Sequence, residues 1–424
     1  MTEEFLHYLW KYSLFENNNL IADTGDNIEI LKLGEPNTNA GPDFLNVSVK
    51  IGSTKWVGNL EIHLNSSDWN KHNHINNKAY DNVILHVVLN NDQITKRTNE
   101  EIIPTVELKF DKYLYNNYSR LISNEQWIAC QNEINKVDDF FIDYWLNVLL
   151  ADRLELKAKG IYNTLKATRN NWEETFYIHL AGSFGFNLNS VPFEMLAKSL
   201  PIKYLSKHKN SLFQIEALLF GQAGFLSENI LFDNYYEKLS KEYTYLRTKF
   251  QLKSLDKHIW KFLRLRPGNF PTVRLAQFAA LIYNSSGLFS KIIECKSVEQ
   301  LHKYFSITAS EYWNNHFLFG KESKEKVKKL GESAFYIIFI NTIVPFLFIY
   351  GKSNGKEDLK ERAVDFLTKI PAEQNNIIKK WGELGINAKN AFYSQALLQL
   401  KNEYCNKKNC LNCQIGNKII TSAT

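Results

Sequence analysis

The segment that decides the fold is GPDFLNVSVKIGSTKWVGNLEIHLNSSDWNKHNH, residues 41–74. Apolar and polar residues alternate in residues 45–51 and again in residues 60–64, the end of a second strand-like run over residues 56–64, and the sequence Gly-Ser-Thr lies between the two runs. Alternation over a short run predicts a half-buried β-strand, and two such runs joined by a short glycine-containing loop predict a hairpin. The centre of the segment therefore predicts two antiparallel strands.

Two carboxylates and a histidine belong to this predicted hairpin. Side chains two residues apart in a strand lie on the same face, so Glu61 and His63 should point the same way. Asp43 stands just before the first strand and should lie near Glu61 across the ladder. Carboxylate oxygens bind hard divalent cations, and a neutral imidazole binds softer ions or acts as a base. We expect these three residues to form a catalytic metal site, against the alternative of an ordinary polar-faced hairpin.

A candidate secondary metal site follows the hairpin in the sequence DWNKHNH and consists of Asp68, His72 and His74. Asp68 and His72 are four residues apart and would align on a helix, whereas His72 and His74 share a face only in an extended chain. His86 lies inside VILHVVL, which predicts a strand buried on both faces. We expect His86 to be a hydrogen-bonded core histidine unless its strand borders the site.

The chain changes character near residue 128. An N-terminal amphipathic helix is followed by runs rich in Val, Ile and Leu, which predict strands. These strands are predicted at residues 28–33, 45–51, 56–64, 83–89 and 103–110. From about residue 138 apolar residues recur at helical spacing. The sequence thus predicts an α+β protein, with a mixed α/β domain over residues 1–128 and a larger all-α region over residues 129–424.

The composition permits a nucleic-acid partner without requiring one. The chain of 424 residues carries a net charge of +6 at pH 7, and 44% of its residues are hydrophobic. Its N-terminus has acidic residues where a signal peptide carries basic ones. The most apolar run, residues 334–350, is interrupted by Asn341 and Pro345, so it predicts a buried helix that ends or kinks near the proline. We expect a cytoplasmic protein without a membrane partner.

Three of the five cysteines form the pattern C-x₄-C-x₂-C at the end of the all-α region, at Cys405, Cys410 and Cys413. Soft thiolates at this spacing suit zinc or an iron–sulfur cluster, and both call for a fourth ligand. We expect Cys130 to supply it, with Cys295 as the competitor. The alternative is a group of unliganded thiols.

A basic segment lies between residues 241 and 280, where nine Lys and Arg residues stand against two acidic ones. Arg264 and Arg266 precede a Pro-Gly-Asn turn that ends at Asn269, and Arg274 lies in the predicted helix that follows. Arginines near a helix N-terminus are suited to phosphate groups. These four residues predict a nucleic-acid contact, with a merely solvated basic face as the alternative.

The pattern Pro42-Asp43 … Glu61-Ile62-His63 resembles the motif of the PD-(D/E)XK nuclease superfamily. The predicted order of helix, strand, hairpin, helix and strand is also similar to the core of that superfamily. The resemblance implies a restriction-endonuclease-like domain in which Asp43 and Glu61 bind Mg²⁺ or Mn²⁺ beside a phosphodiester of DNA or RNA. His63 stands where the superfamily carries a lysine that orients the attacking water.

The resemblance implies a metal-dependent nuclease, and two alternatives remain open. One is a non-catalytic nucleic-acid-binding or assembly protein on a degenerate nuclease fold. The other is a metallohydrolase of small substrates, with the histidines at the metal. A long basic groove would favour a nucleic-acid substrate, and a closed pocket would favour a small one.

Two further resemblances concern larger parts of the chain. The cysteines are arranged like those of RecB-like nucleases stapled by an iron–sulfur cluster, except that Cys130 follows the nuclease-like motif instead of preceding it. Segments along nearly the full length also resemble a bacterial family of unknown function, DUF2851. These are GPDF, EIHLNSSDW, YDNVILHVV, IEALLFGQAGFL, RLRPGNFPTVRLAQFA, INTIVP, SQALLQL and the C-x₄-C-x₂-C segment. This second resemblance implies family membership and no particular activity.

Overall fold

The computed structural model describes residues 1–17, 20–226 and 233–423. They form two compact units, one of Met1–Trp145 with Lys401–Thr424 and the other of Leu146–Leu400. The first unit contains a mixed sheet and the second is mainly helical, so the mixed α/β and all-helical parts expected from the sequence are both present. The expected boundary after residue 128 lies inside the first unit.

The C-terminal residues pack in the first unit rather than with the helical region, in contrast to the boundary drawn from the sequence. The side-chain amide of Asn117 donates to the Ile420 carbonyl oxygen at 3.1 Å, and Lys401 Nζ donates to the Trp127 carbonyl oxygen at 2.7 Å. Such pairings are distant in sequence and therefore invisible to a search for local periodicity.

The longest strands are the two of the predicted hairpin and the strand Val83–Asn90. Their bounds are β1 Leu20–Ile21, β2 Asn27–Lys32, β3 Glu35–Pro36, β4 Phe44–Ile51, β5 Thr54–Asn65, β6 Val83–Asn90, β7 Thr105–Glu107, β8 His316–Leu318 and β9 Lys321–Glu322. The first seven form one sheet in the order β1-β2-β4-β5-β6-β7, with β3 also paired to β4, and β8 and β9 form a separate ribbon. The strand predicted at residues 103–110 is reduced to β7, because Pro104 has no N–H to donate to a ladder.

The register of the sheet brings the functional candidates together. β4 pairs antiparallel with β5, with Phe44 opposite Leu60. β5 pairs in parallel with β6, which sets His86 beside Glu61. Ahead of β4, Gly34 has a φ of +85°, and a Cβ there would lie 2.6 Å from the Leu45 carbonyl oxygen. Only glycine fits this close approach, which lets the chain continue beside β4 into the loop that carries Asp43.

The helices account for most of the chain. Their bounds are α1 Glu3–Lys11, α2 Asp68–Lys71, α3 Lys112–Ser123, α4 Asp139–Ala167, α5 Trp172–Phe184, α6 Phe186–Ser199, α7 Ile202–Ser206, α8 Leu212–Gln222, α9 Asn234–Phe250, α10 Pro271–Asn284, α11 Leu288–Glu294, α12 Val298–Tyr304, α13 Glu332–Ile338, α14 Val344–Ser353, α15 Glu357–Lys369, α16 Asn376–Glu383, α17 Ala391–Gln399 and α18 Gln414–Thr421. Two π-helical turns, Phe339–Ile343 and Leu400–Cys405, interrupt or extend this series.

The apolar run of residues 334–350 folds as α13, a π-helical turn and α14. Pro345 lies in the first turn of α14, where its missing N–H is least costly, and the preceding π-helical turn takes up the irregularity expected near it. The combined helix Glu332–Ser353 has the length and composition of a membrane span, and 78% of its most apolar window is buried inside the protein. A buried core helix passes the same test, so this helix is weak evidence for a membrane.

Candidate metal centre

Three histidines from β5 and the segment after it converge. One ligand nitrogen from each of His63, His72 and His74 lies within 4.8 Å of the other two. His63 belongs to β5, His72 ends the four-residue helix α2, and His74 begins a 3-10 turn. Asn73 between them has a φ of 59°, a left-handed conformation that asparagine tolerates, so the chain reverses and brings both rings back over β5.

Trp69 fixes the segment that carries His72 and His74. Its side chain is fully buried, and its indole N–H donates to the Lys96 carbonyl oxygen at 3.0 Å. Its ring centroid lies 5.3 Å from that of His74 and 6.5 Å from that of His63. Because the anchor touches two members of the cluster, the position of both rings depends on this one side chain.

Glu61 completes the cluster from the same face of β5 as His63. Its Oε1 atom lies 3.3 Å from His74 Nε2 and 3.7 Å from His63 Nε2. Glu61 and His74 are both buried, and His74 Nε2 has no hydrogen-bond partner. A nitrogen and a carboxylate oxygen that approach closely without hydrogen-bond alignment are suited to sharing a cation between them.

The carboxylates of Asp43 and Glu61 are linked by hydrogen bonds from backbone N–H groups. The Asp43 N–H donates to Glu61 Oε2 at 3.1 Å, and the Ile62 N–H donates to Asp43 Oδ2 at 2.9 Å. Glu61 Oε1 remains turned toward the histidines. On the other side, His7 Nε2 of α1 lies 3.2 Å from Asp43 Oδ2. The contacts thus run without interruption from His7 through both carboxylates to the three-histidine group.

His86 supports His63 from the neighbouring strand. His86 Nε2 lies 2.8 Å from His63 Nδ1, while His63 Nε2 lies 3.0 Å from His72 Nδ1. The partner at Nδ1 fixes the orientation and tautomer of the His63 ring, as outer partners of metal-binding histidines do. His86 is a fully buried histidine, as expected, and its strand does border the site.

The electrostatics of the centre favour neutral imidazoles. Burial, together with the neighbouring histidines, lowers the pKa of His63 to about 3. Burial likewise lowers the pKa of His86 to about 3. Burial raises the pKa of Glu61, and its contact with His74 opposes that rise. Neutral imidazoles next to a carboxylate form the donor set that divalent transition metals bind, and a bound cation would remove the burial penalty on Glu61.

His7 differs from the other histidines because it faces Asp43. Burial on its own lowers the pKa of His7, but the hydrogen bond and the charge of Asp43 outweigh it and hold the pKa above its usual value. The contact with Asp43 therefore favours the protonated form of His7.

A cavity of about 550 Å³ opens beside this dyad. Its lining comes from α1, the loop before β4, α3 and the cysteine segment, all within the first unit. Three lysines, Lys11, Lys407 and Lys408, line it together with Asp43 and His7. The cavity is therefore suited to an anionic ligand that contacts the dyad.

The comparison with protein families covers most of both units. A family model described as protein of unknown function DUF2851 matches residues 3–376. The chain belongs to the DUF2851 family. No curated protein and no solved structure gives a significant match. The match to DUF2851 includes every residue of the histidine centre and Cys130, and it ends before the C-x₄-C-x₂-C segment.

The structure rearranges the candidate secondary site of this DUF2851 member. His72 and His74 join Glu61 and His63, so the two sites drawn separately from the sequence are one cluster. Asp68 does not join it, because its carboxylate accepts hydrogen bonds from the Asn65 N–H at 3.0 Å and from Lys71 at 2.6 Å. These hydrogen bonds instead stabilise the first turn of α2.

His7 was missed by the sequence analysis. It lies in α1, which packs against β5, and its neighbours Leu6 and Tyr8 are buried. A histidine on the partly buried side of an amphipathic helix was the available signal, but no spacing rule connects it to a carboxylate in a distant loop.

The cysteines of the C-terminal segment gather around Cys130. Burial, together with the nearby thiols of Cys413 and Cys410, raises the pKa of Cys130 to about 12. Burial also raises the pKa of Cys405, and the other three thiols act on it in turn. The competitor Cys295 belongs to the second unit, where its thiol donates to Ser297 and Gln300.

The basic segment divides into a buried and an exposed part. Arg274 is 7% exposed, and its guanidinium donates to Gln277 at 2.8 Å and to Asn269 at 2.6 Å. It also lies 4.4 Å from the centre of the Phe186 ring. Two nitrogens of Arg274 are thus paired within the protein and its buried Nε has no partner, and the phosphate contact predicted for Arg274 stays a prediction. Arg264 and Arg266 are exposed.

Proposed function

We propose that the protein is a divalent-metal-dependent phosphodiester hydrolase, and more specifically a nuclease. The observation that carries the proposal is the convergence of His63, His72 and His74 within 4.8 Å, beside the buried carboxylate of Glu61. Three imidazoles and a carboxylate suit Mn²⁺ or Zn²⁺ better than Mg²⁺, which prefers oxygen ligands.

The residues of the centre have distinct tasks in this proposal. His63, His72, His74 and Glu61 hold the metal, which supplies an acidified water for hydrolysis. His86 orients His63. The dyad of His7 and Asp43 lies at the cavity and transfers the proton that hydrolysis requires. Its contact of 3.2 Å joins a carboxylate to an imidazole whose pKa is raised.

Charge and topology favour a phosphate ester as the substrate. Lys11, Lys407 and Lys408 line the cavity next to Asp43, and lysines bind phosphate oxygens as point charges. The order of α1, β2, the β4–β5 hairpin, α2 and β6, with β6 parallel to β5, is the order on which the proposed nuclease-like core rests. His63 stands at the lysine position of that motif as a neutral metal ligand.

A hydrolase of small phosphodiesters is the second candidate. The cavity of about 550 Å³ falls within the range of small-ligand pockets, roughly 300–1,000 Å³. A non-catalytic nucleic-acid-binding protein is the third, and it predicts salt-dependent binding without turnover.

The test uses metal-stripped full-length protein reloaded separately with Mn²⁺, Zn²⁺ or Mg²⁺. Substrates are single- and double-stranded DNA, RNA and bis(p-nitrophenyl) phosphate. We expect Mn²⁺ or Zn²⁺ to support cleavage, His74→Gln to lose both metal and cleavage, and Asp43→Asn to keep metal but lose cleavage. His258→Gln, at an exposed histidine of the second unit, is the matched control. Equal cleavage by wild type and Asp43→Asn would show that the site is wrong.

A further inference from the structure

Four thiols come together in the first unit from two distant parts of the sequence. Cys405 is the last residue of the π-helical turn after α17, Cys410 begins a 3-10 turn and Cys413 precedes α18. Cys130 follows α3 by a short loop, and its carbonyl oxygen accepts hydrogen bonds from the N–H groups of Glu133 and Ile134.

Two lysines fasten these parts to each other. Lys401 Nζ donates to the Trp127 carbonyl oxygen at 2.7 Å, three residues before Cys130. Lys408 Nζ donates to the Ile122 carbonyl oxygen at 2.6 Å. Lys401 is 8% exposed. The two cations thus lie among the thiols, where they offset the negative charge that a set of four thiolates would bring.

Hydrogen-bond donors are directed at the sulfur of Cys413. Burial raises the pKa of Cys413, and the backbone N–H groups of Gly416 and Ile415 and the indole N–H of Trp145 oppose that rise. Trp145 is 6% exposed, and its Nε1 has no conventional hydrogen-bond partner. A buried indole N–H beside Cys413 that lacks an oxygen or nitrogen acceptor leaves a donor available to a metal-bound thiolate.

We propose that Cys130, Cys405, Cys410 and Cys413 ligate one iron–sulfur cluster. The spacing C-x₄-C-x₂-C with a distant fourth cysteine is one that such clusters use. This assignment stands independently of the hydrolase proposal.

The spacing of the sulfurs distinguishes a cluster from a single zinc ion. Tetrahedral zinc with Zn–S bonds of about 2.3 Å holds its sulfurs about 3.8 Å apart. Among residues 1–17, 20–226 and 233–423, the group of three donors within 4.8 Å of one another is that of the histidines, and no such group of cysteine sulfurs is found. A cluster distributes its four thiolates over two or four irons, so three of them need not gather around one ion. All five cysteines are free thiols, so no disulfide occupies the site.

The cluster also has a structural task near the cavity. Cys410 lines the cavity together with Lys407 and Lys408. At Gly416 an added Cβ would lie 2.3 Å from the Cys410 carbonyl oxygen, which shows how closely α18 packs on this turn. A cluster bound by residues on both sides of the turn would therefore fix the position of the cavity lining that carries Lys407 and Lys408.

The test is anaerobic purification of the full chain from iron-supplied cells, followed by assays of iron, acid-labile sulfide and zinc and by a visible absorption spectrum. We expect iron and sulfide in about equal amounts with charge-transfer absorption. Cys130→Ser and Cys413→Ser should lose at least half of the sulfide, whereas Cys295→Ser and His74→Gln should retain it. Sulfide separates this site from iron bound by histidines.

The iron, sulfide and zinc contents of the wild-type protein test the proposed cluster, whether or not the serine variants fold. Stoichiometric zinc without sulfide would overturn the cluster in favour of a single-ion site. Protein with neither metal nor sulfide, after reconstitution with iron and sulfide, would overturn any metal at these cysteines.

Discussion

His74 Nε2 lies 3.3 Å from Glu61 Oε1, and this buried nitrogen has no hydrogen-bond partner. An unsatisfied buried nitrogen normally costs about 1–3 kcal/mol of folding free energy. The cost is removed if a cation lies between the two atoms. This relationship links the fold to the proposed chemistry, since β5 supplies the carboxylate and the turn after α2 supplies the imidazole.

Metal binding should stabilise the fold. Only the folded state brings the ligand atoms of the three histidines and Glu61 together. Mn²⁺ or Zn²⁺ at a concentration of 100 times its dissociation constant should therefore add about 2.7 kcal/mol to the free energy of unfolding. Chemical denaturation with and without metal measures this. Glu61→Gln should abolish the increment, and His258→Gln should leave it intact. An increment of equal size in Glu61→Gln would place the ion elsewhere.

Replacing His86 should weaken metal binding, although His86 itself is not a metal ligand. His86 Nε2 is 2.8 Å from His63 Nδ1, and outer partners of this kind contribute about 10–100-fold in metal affinity. Titration calorimetry of His86→Leu should show that loss. The variant should remain folded, because the side chain is buried among apolar strand residues. Unchanged affinity would mean that His63 is not a ligand.

Trp69 should stabilise both the fold and the centre. Removing a fully buried tryptophan by Trp69→Ala typically costs about 3–5 kcal/mol, and the rings of His63 and His74 lose their contact with it. Trp69→Phe should retain most of the stability but lose the hydrogen bond to Lys96. Denaturation curves and metal titrations of both variants check this. An alanine variant as stable as wild type would contradict the described packing.

The lysines of the cavity should act on substrate binding. For Lys11→Gln and Lys407→Gln we expect a KM raised several-fold, a nearly unchanged kcat and a weaker dependence of KM on salt, since both side chains are exposed charges. Lys324→Gln in the second unit is the matched control. A fall in kcat at constant KM would contradict a role in binding.

Glu216 of α8 should make the stability of the second unit depend on pH. It is fully buried, and burial raises its pKa to about 7, while hydrogen bonds from Tyr235 and Ser310 oppose the rise. The native protein therefore keeps a proton that the unfolded chain releases. The associated stability is fully present below the ordinary pKa of 4.5 and is lost as the pH rises through about 7.

Glu216→Gln removes this titration. Relative to wild type, the variant should gain on the order of 3 kcal/mol between pH 4 and pH 8. Denaturant unfolding at both pH values measures the difference. The same difference at both pH values would contradict a neutral Glu216 in the native protein.

The hairpin was predictable because its signal is local. Alternation in residues 45–51 and 60–64 specified both strands, and their register placed Asp43 beside Glu61. The merging of the two histidine groups was not predictable, because it depends on the left-handed Asn73 and on the anchor Trp69. The helix–sheet contact that brings His7 to Asp43 likewise joins residues distant in sequence.

The C-terminal cysteines show the same limit. Their pattern indicated a metal, and Cys130 was the preferred fourth ligand. Their membership in the first unit depends on Lys401 and Lys408 reaching carbonyl groups of a distant segment. Long side chains that donate to backbone oxygens leave no periodic trace in the sequence.

The most direct test of the central claim is the stoichiometry of Mn²⁺ and Zn²⁺ in metal-stripped wild type and in His74→Gln, measured by titration calorimetry. We predict one tightly bound ion per chain in the wild type and none in the variant, with His258→Gln behaving like wild type. Failure of the wild type to bind either ion, or equal binding by His74→Gln, would contradict the account.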